Sequence, residues 1–136
     1  MIFSLAVLTT ALLFGGMTLY SFGFAALLFT ALPGETARGV LRRAFPWFYL
    51  FVIGTAFVAA ALLWPHDAVA SLVMAAVAVS TLPTRQQLMP AINRATDRGE
   101  RQRFKWLHGL SVLITLCHIA AAGFVLLRLV QLAGSS

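Results

Sequence analysis

Acidic residues are nearly absent from this chain. The sequence has four aspartate and glutamate residues against ten lysine and arginine residues, so that only 10% of its 136 residues are charged. Soluble domains carry about 25% charged and about 45–50% apolar residues, whereas this chain is 60% hydrophobic with a mean hydropathy of +0.89. So few charges cannot cover the surface of a soluble protein. The composition excludes a soluble enzyme and a disordered tail, and it predicts an integral membrane protein.

Other absences exclude particular sites and activities. A single cysteine, Cys117, excludes an internal disulfide. No acidic or basic residue lies in the central part of an apolar run, so the intramembrane carboxylate that a small proton-driven exporter needs is missing. The sequence shows no nucleophile–base pair, carboxylate pair or phosphate-binding glycine loop, and we therefore expect no enzyme activity. Residues 1–4 carry no base, so we expect no cleaved signal peptide.

Four apolar runs remain, and they predict a single domain, residues 1–136, with an all-α fold built as a bundle of four transmembrane helices. The expected spans are residues 3–32, 46–64, 67–88 and 104–132. The first and last are long. Pro46 is expected near the start of the second span, where its missing N–H costs nothing. Pro83 is expected to kink the third helix without ending it.

The basic residues predict an orientation. Nine of the ten bases lie in residues 33–45 and 83–105, the two connections that would share one side of the membrane. The positive-inside rule places these connections in the cytoplasm and both termini outside. We expect the membrane to be the inner membrane of a bacterium. The bases expected to set topology and to contact lipid headgroups are Arg38, Arg42, Arg43, Arg98, Arg101, Arg103 and Lys105. Contact with anionic lipid explains this charge, so we expect no nucleic-acid partner. Arg128 is expected to extend to the outer surface, and Asp97 to pair with a nearby base.

Most of the polarity inside the membrane lies on the fourth helix. His108, Ser111, Thr115 and His118 are spaced 3, 4 and 3 residues apart, which places them on one face. Such a stripe is expected to face other helices, since polar groups avoid hydrocarbon. It is either a seam of the bundle or the lining of a site for haem, copper or a small amphiphile. No cofactor is predicted, because His108 and His118 share one helix and cannot clamp a haem from two sides.

Two rows of small residues are predicted to pack helix against helix, because small side chains let helix backbones approach closely in lipid. The residues in these rows are Thr9, Gly16, Tyr20 and Gly23 on the first helix and Ser71, Ala75 and Ala78 on the third.

Two segments carry a family resemblance. The first combines residues 20–33 (YSFGFAALLFTALP) with residues 44–49 (AFPWFY), and the second combines residues 89–93 (MPAIN) with residues 104–111 (FKWLHGLS). Together they resemble a bacterial four-helix membrane family of unknown function that is related to the eukaryotic transmembrane protein 205. That family is similar in layout to the larger group that contains copper-resistance protein D and the HemJ-type protoporphyrinogen oxidases. The resemblance implies four helices and this broad kinship, and no established activity. The early histidine that HemJ-type proteins use is absent from the first helix.

The sequence therefore predicts a small polytopic membrane protein without enzyme activity. We expect it to act as an accessory or interaction subunit that contacts membrane lipids and packs against other membrane helices, either of its own copies or of a larger complex. The alternative is a membrane protein that binds haem, copper or a small amphiphile through the stripe on the fourth helix.

Overall fold

The computed structural model describes residues 1–135 and confirms the all-helical, four-helix prediction. The helices are α1 (Ile2–Ala31), α2 (Gly34–Leu63), α3 (Ala68–Asp97) and α4 (Arg101–Gly134). Each is long and apolar enough to cross a membrane. The protein is therefore a multi-pass membrane protein whose apolar helices contact lipid.

Helices α2, α3 and α4 are longer than the predicted spans. At 1.5 Å per residue, helices of this length measure roughly 45–50 Å, against about 30 Å of hydrocarbon. The ends of α2 and α3 therefore project from the membrane, and most of residues 33–45 and 83–105 are helical rather than loop. The expectation that Pro46 starts a helix is wrong, since Pro46 lies inside α2. A proline in a membrane helix removes one backbone hydrogen bond without necessarily ending the helix.

Two π-helical turns interrupt the regular winding, one in α1 at Leu19–Phe24 and one in α3 at Thr84–Leu88. The second directly follows Pro83, the residue predicted to disturb the third helix. There the Thr84 hydroxyl donates to the Ser80 carbonyl at 3.1 Å. The helix continues through this irregularity to Asp97.

The helices form a bundle in the cyclic order α1–α2–α3–α4. Helix α2 packs against α1 and α3, and α4 packs against the same two neighbours. The largest side chains of the core are fully buried and come from all four helices: Leu13, Met17, Val52, Leu63, Met74, Val125 and Leu129. Buried alanines such as Ala56 and Ala70 bring the helices close together.

Contacts between charged residues define the two ends of the bundle. At one end Arg42 of α2 donates to both carboxylate oxygens of Asp97 at 2.8 Å, which confirms that Asp97 pairs with a base. At the other end Arg128 pairs with Asp67. Arg128 thus lies at the end where it was expected, but its guanidinium binds a carboxylate instead of extending freely to the surface. A charged partner at the same depth satisfies the donors of an arginine better than neutral surroundings do. We call the end that contains Arg42 and Asp97 the basic end.

Candidate functional site

The membrane-embedded stripe on α4 is divided among separate neighbours. Ser111 interacts through its side chain with the hydroxyl of Tyr49 on α2. His108 is exposed and stacks on Phe104 of its own helix, with ring centroids 5.4 Å apart. The first half of the stripe therefore makes one contact across the bundle, through Ser111.

The second half of the stripe reaches α3. His118 Nε2 lies 2.8 Å from Ser80 Oγ, while half-buried Thr115 has no side-chain hydrogen-bond partner in the part of the chain described. Among residues 1–135, no group of three or more histidine, cysteine, aspartate or glutamate side chains could hold a metal ion. The stripe residues thus make local contacts to two helices and do not converge on a common centre.

The row on α1 is displaced from the helix face that is buried. The buried residues are Ala6, Thr10, Leu13 and Met17, whereas Thr9 is half-buried and bonds to the carbonyl of Leu5. Gly16 faces Phe51 so closely that an added Cβ would lie 2.7 Å from Phe51 Cε1. Gly23 is exposed.

The row on α3 lies nearer the core. Ser71 is buried, and its hydroxyl donates to the Ala60 carbonyl of α2 at 2.7 Å. Ala78 is also buried, and Ala75 packs half-buried against the core. This row lies along the α2–α3 contact.

An aromatic cluster joins α1 to α2 in the half of the bundle nearer the basic end. Its members are Tyr20, Phe24, Phe45, Phe48 and Tyr49. Tyr20 stacks on Phe48, with ring centroids 4.6 Å apart and planes 11° from parallel. Since Tyr49 also contacts Ser111, the cluster links three helices.

An apolar groove runs beside this cluster on the outside of α1 and α2. It has a volume of about 610 Å³ and is lined by Gly16, Leu19, Tyr20, Gly23, Phe24, Leu27, Trp47, Phe48 and Phe51. Three of the four residues in the predicted α1 packing row therefore line an open depression. At Gly16 the ring of Phe51 takes the place of a side chain, and at Gly23 an added Cβ would lie 3.0 Å from Leu19 Cδ1.

A second depression, the basic cleft, lies between α2 and α3 at the basic end. It measures about 430 Å³ and is lined by Arg42, Pro46, Arg85, Met89, Pro90, Asn93 and Arg94. Arg85 Nε donates to the Pro46 carbonyl at 3.2 Å and ties the two helices together. The cleft brings the AFPWFY and MPAIN segments, which are far apart in sequence, into contact.

The bases predicted to set topology line the surface of the same end. Arg38, Arg42, Arg43, Arg98, Arg101, Arg103 and Lys105 are all exposed. Of these, Arg42 pairs with Asp97, and Arg103 lies 3.8 Å from Glu100. Arg38 donates through Nε to the Gly34 carbonyl at 3.2 Å, and Arg43, Arg98, Arg101 and Lys105 are open to solvent or lipid headgroups.

Sequence reasoning missed the role of Asp67. Its carboxylate caps α3 by accepting from the backbone N–H groups of Val69 and Ala70, at 3.0 and 3.2 Å. It also accepts from Arg128 Nε and Nη2, at 2.8 and 3.1 Å. The hydrogen bond from Arg128 lowers the pKa of Asp67 below its ordinary value, against the opposing effect of desolvation. An aspartate just before an apolar run is an N-cap signal that could have identified the first of these roles.

Comparison with known proteins identifies a family. A family model described as "Domain of unknown function (DUF4149)" matches residues 8–133, nearly the whole chain, and the chain therefore belongs to this family. No curated protein and no solved structure matches the chain significantly.

Proposed function

We propose that this DUF4149-family chain is a non-enzymatic interaction protein that packs against further transmembrane helices through the outer face of α4. The uneven burial of α4 carries the proposal. No residue from Arg101 to Ala121 is buried, whereas Ala122, Val125 and Leu129 are. In the most apolar window of α4 only 11% of residues are buried, against 22%, 33% and 39% for α1, α2 and α3.

A polar pair at the edge between α3 and α4 is a second, separate feature of this region. Ser80 is exposed and His118 is only half-buried, although both lie near the middle of their helices. A polar pair that faces hydrocarbon is unfavourable, and such groups normally face protein or water. His118 lies on the side of α4 that contacts α3, so only a helix packed at the α3–α4 edge would cover this pair, in addition to one packed on the outer face of α4.

The exposed residues of α4 also follow the pattern of a helix–helix seam. Gly109, Leu113, Leu116 and Ala120 are spaced 4, 3 and 4 residues apart, and all four are exposed. This spacing of small and apolar side chains is typical of left-handed helix pairs. A face on which two large residues lie between two small ones can pack against an antiparallel second copy of itself, so we favour self-association over packing within a larger complex.

Cysteine cross-linking in native membranes tests the proposal without engineering the interface. Cys117, the only cysteine, is exposed on the same side of α4. Oxidation or a short bis-maleimide is expected to link two copies through Cys117. Matched controls carry Cys117→Ser together with Leu8→Cys on α1 or Phe57→Cys on α2, both at exposed positions, and are expected to remain monomeric.

The products distinguish the alternatives. A Cys117-dependent dimer supports self-association, and a Cys117-dependent adduct with a different protein supports a larger complex. Cross-linking that is absent at Cys117, or equally efficient at Leu8→Cys, would overturn the assignment of α4 as the interface.

The apolar groove favours a second function, the binding of a small amphiphile. The groove follows α1 from Gly16 to Leu27, roughly 16 Å at 1.5 Å per residue, or about half of the hydrocarbon thickness. Its volume falls within the range of about 300–1,000 Å³ that is usual for small-molecule sites. Its length and apolar lining fit a single hydrocarbon chain. The amphiphile site is therefore supported at the α1–α2 groove. A haem or copper site would instead have to form at His108 and His118, which do not line the groove.

Filling the groove tests this second function. Gly23→Leu places a side chain in the groove, while Gly15→Leu adds the same side chain at a nearby exposed glycine that does not line it. If the groove holds an amphiphile, a photoactivatable fatty-acid probe should label the wild type and Gly15→Leu equally and Gly23→Leu much less. Equal labelling of all three chains would refute the proposal.

We also propose the location and the wider kinship of the chain. The clustering of nine bases at one end of the bundle supports placement in a bacterial inner membrane with the basic end in the cytoplasm and both termini outside. Kinship with transmembrane protein 205 and the copper-resistance protein D group rests on the similar segments at residues 20–33, 44–49, 89–93 and 104–111.

A further inference from the structure

We propose that the basic cleft between α2 and α3 is a binding site for a phosphate group, supplied by the headgroup of an anionic lipid. This site is separate from the α4 interface and from the apolar groove. It also differs from the general contact of surface bases with headgroups, because its residues converge from two helices on one depression.

Hydrogen bonds hold Arg42 and Arg85 in place, and most of the remaining donors of the cleft are unused. Arg85 donates a hydrogen bond only through Nε, to the Pro46 carbonyl. Among the described residues, no protein group accepts a hydrogen bond from the two Nη nitrogens of Arg85 or from the side chains of Asn93 and Arg94. Arginine has five N–H donors in a planar fork that suits phosphate oxygens, and an amide adds two more. The cleft therefore offers a set of donors without a matching protein acceptor.

The charge of the cleft favours an anion. Of its three arginines, Arg42 is neutralised by the two-pronged pair with Asp97. Within residues 1–135, Arg85 and Arg94 have no acidic partner, so the cleft keeps about two uncompensated positive charges. Arg42 lines the cleft with its charge compensated by Asp97, which leaves the other two guanidinium groups for a ligand.

The position of the cleft identifies the source of the anion. Pro46, Met89 and Pro90 give it an apolar part, and the neighbouring Trp47 is 74% exposed, as is typical of an indole at the membrane interface. Below these residues the helices are apolar, and beyond them they carry the exposed bases. A basic pocket between helices at headgroup depth is suited to a lipid phosphate with its chains in the adjacent hydrocarbon.

Lipid binding by the purified full-length chain tests the site. In a neutral detergent, native mass spectrometry would measure the apparent affinity for phosphatidylglycerol and for phosphatidylcholine. Arg85→Gln with Arg94→Gln is expected to weaken phosphatidylglycerol binding by at least about tenfold, since charge-assisted hydrogen bonds contribute more than neutral ones. The matched control, Arg98→Gln with Arg101→Gln, removes the same charge from exposed positions outside the cleft, and its effect is expected to stay below about threefold.

Arg94→Gln alone separates binding from folding, because Arg94 makes no side-chain contact that the α2–α3 packing depends on. It should weaken phosphatidylglycerol binding several-fold and leave the thermal unfolding of the lipid-free chain unchanged. Arg85→Lys keeps the charge but loses the planar fork, so an affinity between those of wild type and Arg85→Gln is expected.

Competition by inorganic phosphate identifies the source of the anion. If millimolar phosphate leaves phosphatidylglycerol bound, the ligand is the lipid headgroup. If it displaces the lipid fully, the site takes free phosphate and the lipid assignment is wrong. Equal losses in the two double variants, or equally tight binding of phosphatidylcholine, would overturn the site altogether.

Discussion

Asp67 joins two elements through one carboxylate. The side chain is 6% exposed, caps the first turn of α3 and binds the guanidinium of Arg128 on α4. The cap satisfies backbone N–H groups that have no acceptor within the helix. The ion pair fastens the C-terminal part of α4, the one part of that helix with buried residues. Asp67 therefore helps to fix the position of α4, on which the proposed interface depends.

Two substitutions at Asp67 separate its roles. Asp67→Asn keeps a good capping side chain but removes the charge, whereas Asp67→Ala removes both. We expect Asp67→Ala to lower the free energy of unfolding more than Asp67→Asn does, with the lost cap contributing about 0.5–2 kcal/mol. Denaturation in mixed micelles measures the difference. Glu35→Gln, at an exposed acid on α2 without an ion-pair partner, is the control and should change stability little. Equal stability of the two Asp67 variants would contradict the capping role.

The stability of the bundle should depend on the ionisation of Asp67. The pKa of Asp67 in the folded chain lies below its ordinary value of 3.8, so the folded state favours the charged carboxylate. The resulting stabilisation is complete above the ordinary pKa and is lost as the pH falls through the lower, folded-state value. Thermal unfolding of the wild type and Asp67→Asn should differ by a constant amount from pH 8 to about pH 5, and the curves should converge at lower pH. A gap that keeps its full size as the pH falls well below 3.8 would contradict this assignment.

The turn between α3 and α4 depends on Gly99, the one described residue with a left-handed backbone, at φ +67°. The N–H of Gly99 bonds to the carbonyl of Thr96, and that of Glu100 bonds to the carbonyl of Ala95. These are the two hydrogen bonds of a Schellman motif, in which a glycine after the last helical residue reverses the chain. The turn lets α4 begin at Arg101, so that the C-terminal end of α3 and the N-terminal end of α4 project together at the basic end.

A pair of glycine substitutions tests this turn. Gly99→Ala should lower the free energy of unfolding by about 1–2 kcal/mol, since a Cβ disfavours the left-handed conformation. Gly39→Ala should be neutral or stabilise by up to about 1 kcal/mol, because Gly39 lies in α2 with nothing within 4 Å of an added Cβ. Chemical denaturation of both variants gives the comparison. A neutral Gly99→Ala would show that the turn tolerates another conformation.

Charge is distributed unevenly between the two ends of the bundle. Arg42 and Asp97 meet at the end that carries nine of the ten bases, and Asp67 and Arg128 meet at the opposite end. The long projecting ends of α2 and α3 turn the basic end into a helical platform, which contains the basic cleft. An anionic inner leaflet would attract this end and leave the opposite end on the outer side.

Accessibility labelling tests the proposed orientation. In a Cys117→Ser background, Pro65→Cys and Arg98→Cys place single thiols in the two opposite connections. A membrane-impermeant maleimide is expected to label Pro65→Cys in cells with a permeabilised outer membrane, and Arg98→Cys only after the inner membrane is broken. The reverse pattern would invert the topology.

Much of the fold followed from the sequence, and rather less of the site did. The four helices were predictable because about 20 apolar residues in succession satisfy a simple length requirement. The basic cleft was not, because Pro46 and Asn93 come together only when α2 and α3 pack side by side. The contact of Ser111 with Tyr49 and that of His118 with Ser80 could not be predicted either. Spacing along one helix shows which residues share a face, and it does not show which helix lies opposite.

The shortage of charge in the sequence established a membrane protein of four helices, since hydrocarbon excludes unpaired charges and exposed backbone groups. The sequence also placed the bases in two segments and the polar residues of α4 on one face. Tertiary structure decided that those basic segments are helical, that Asp67 pairs with Arg128, and that no residue from Arg101 to Ala121 is fully buried. Hydropathy records the free energy of transfer of each residue into lipid, which is local to the chain. Ion pairs, clefts and exposed helix faces arise when helices pack against one another. In lipid this packing has no hydrophobic driving force, so hydropathy does not predict it.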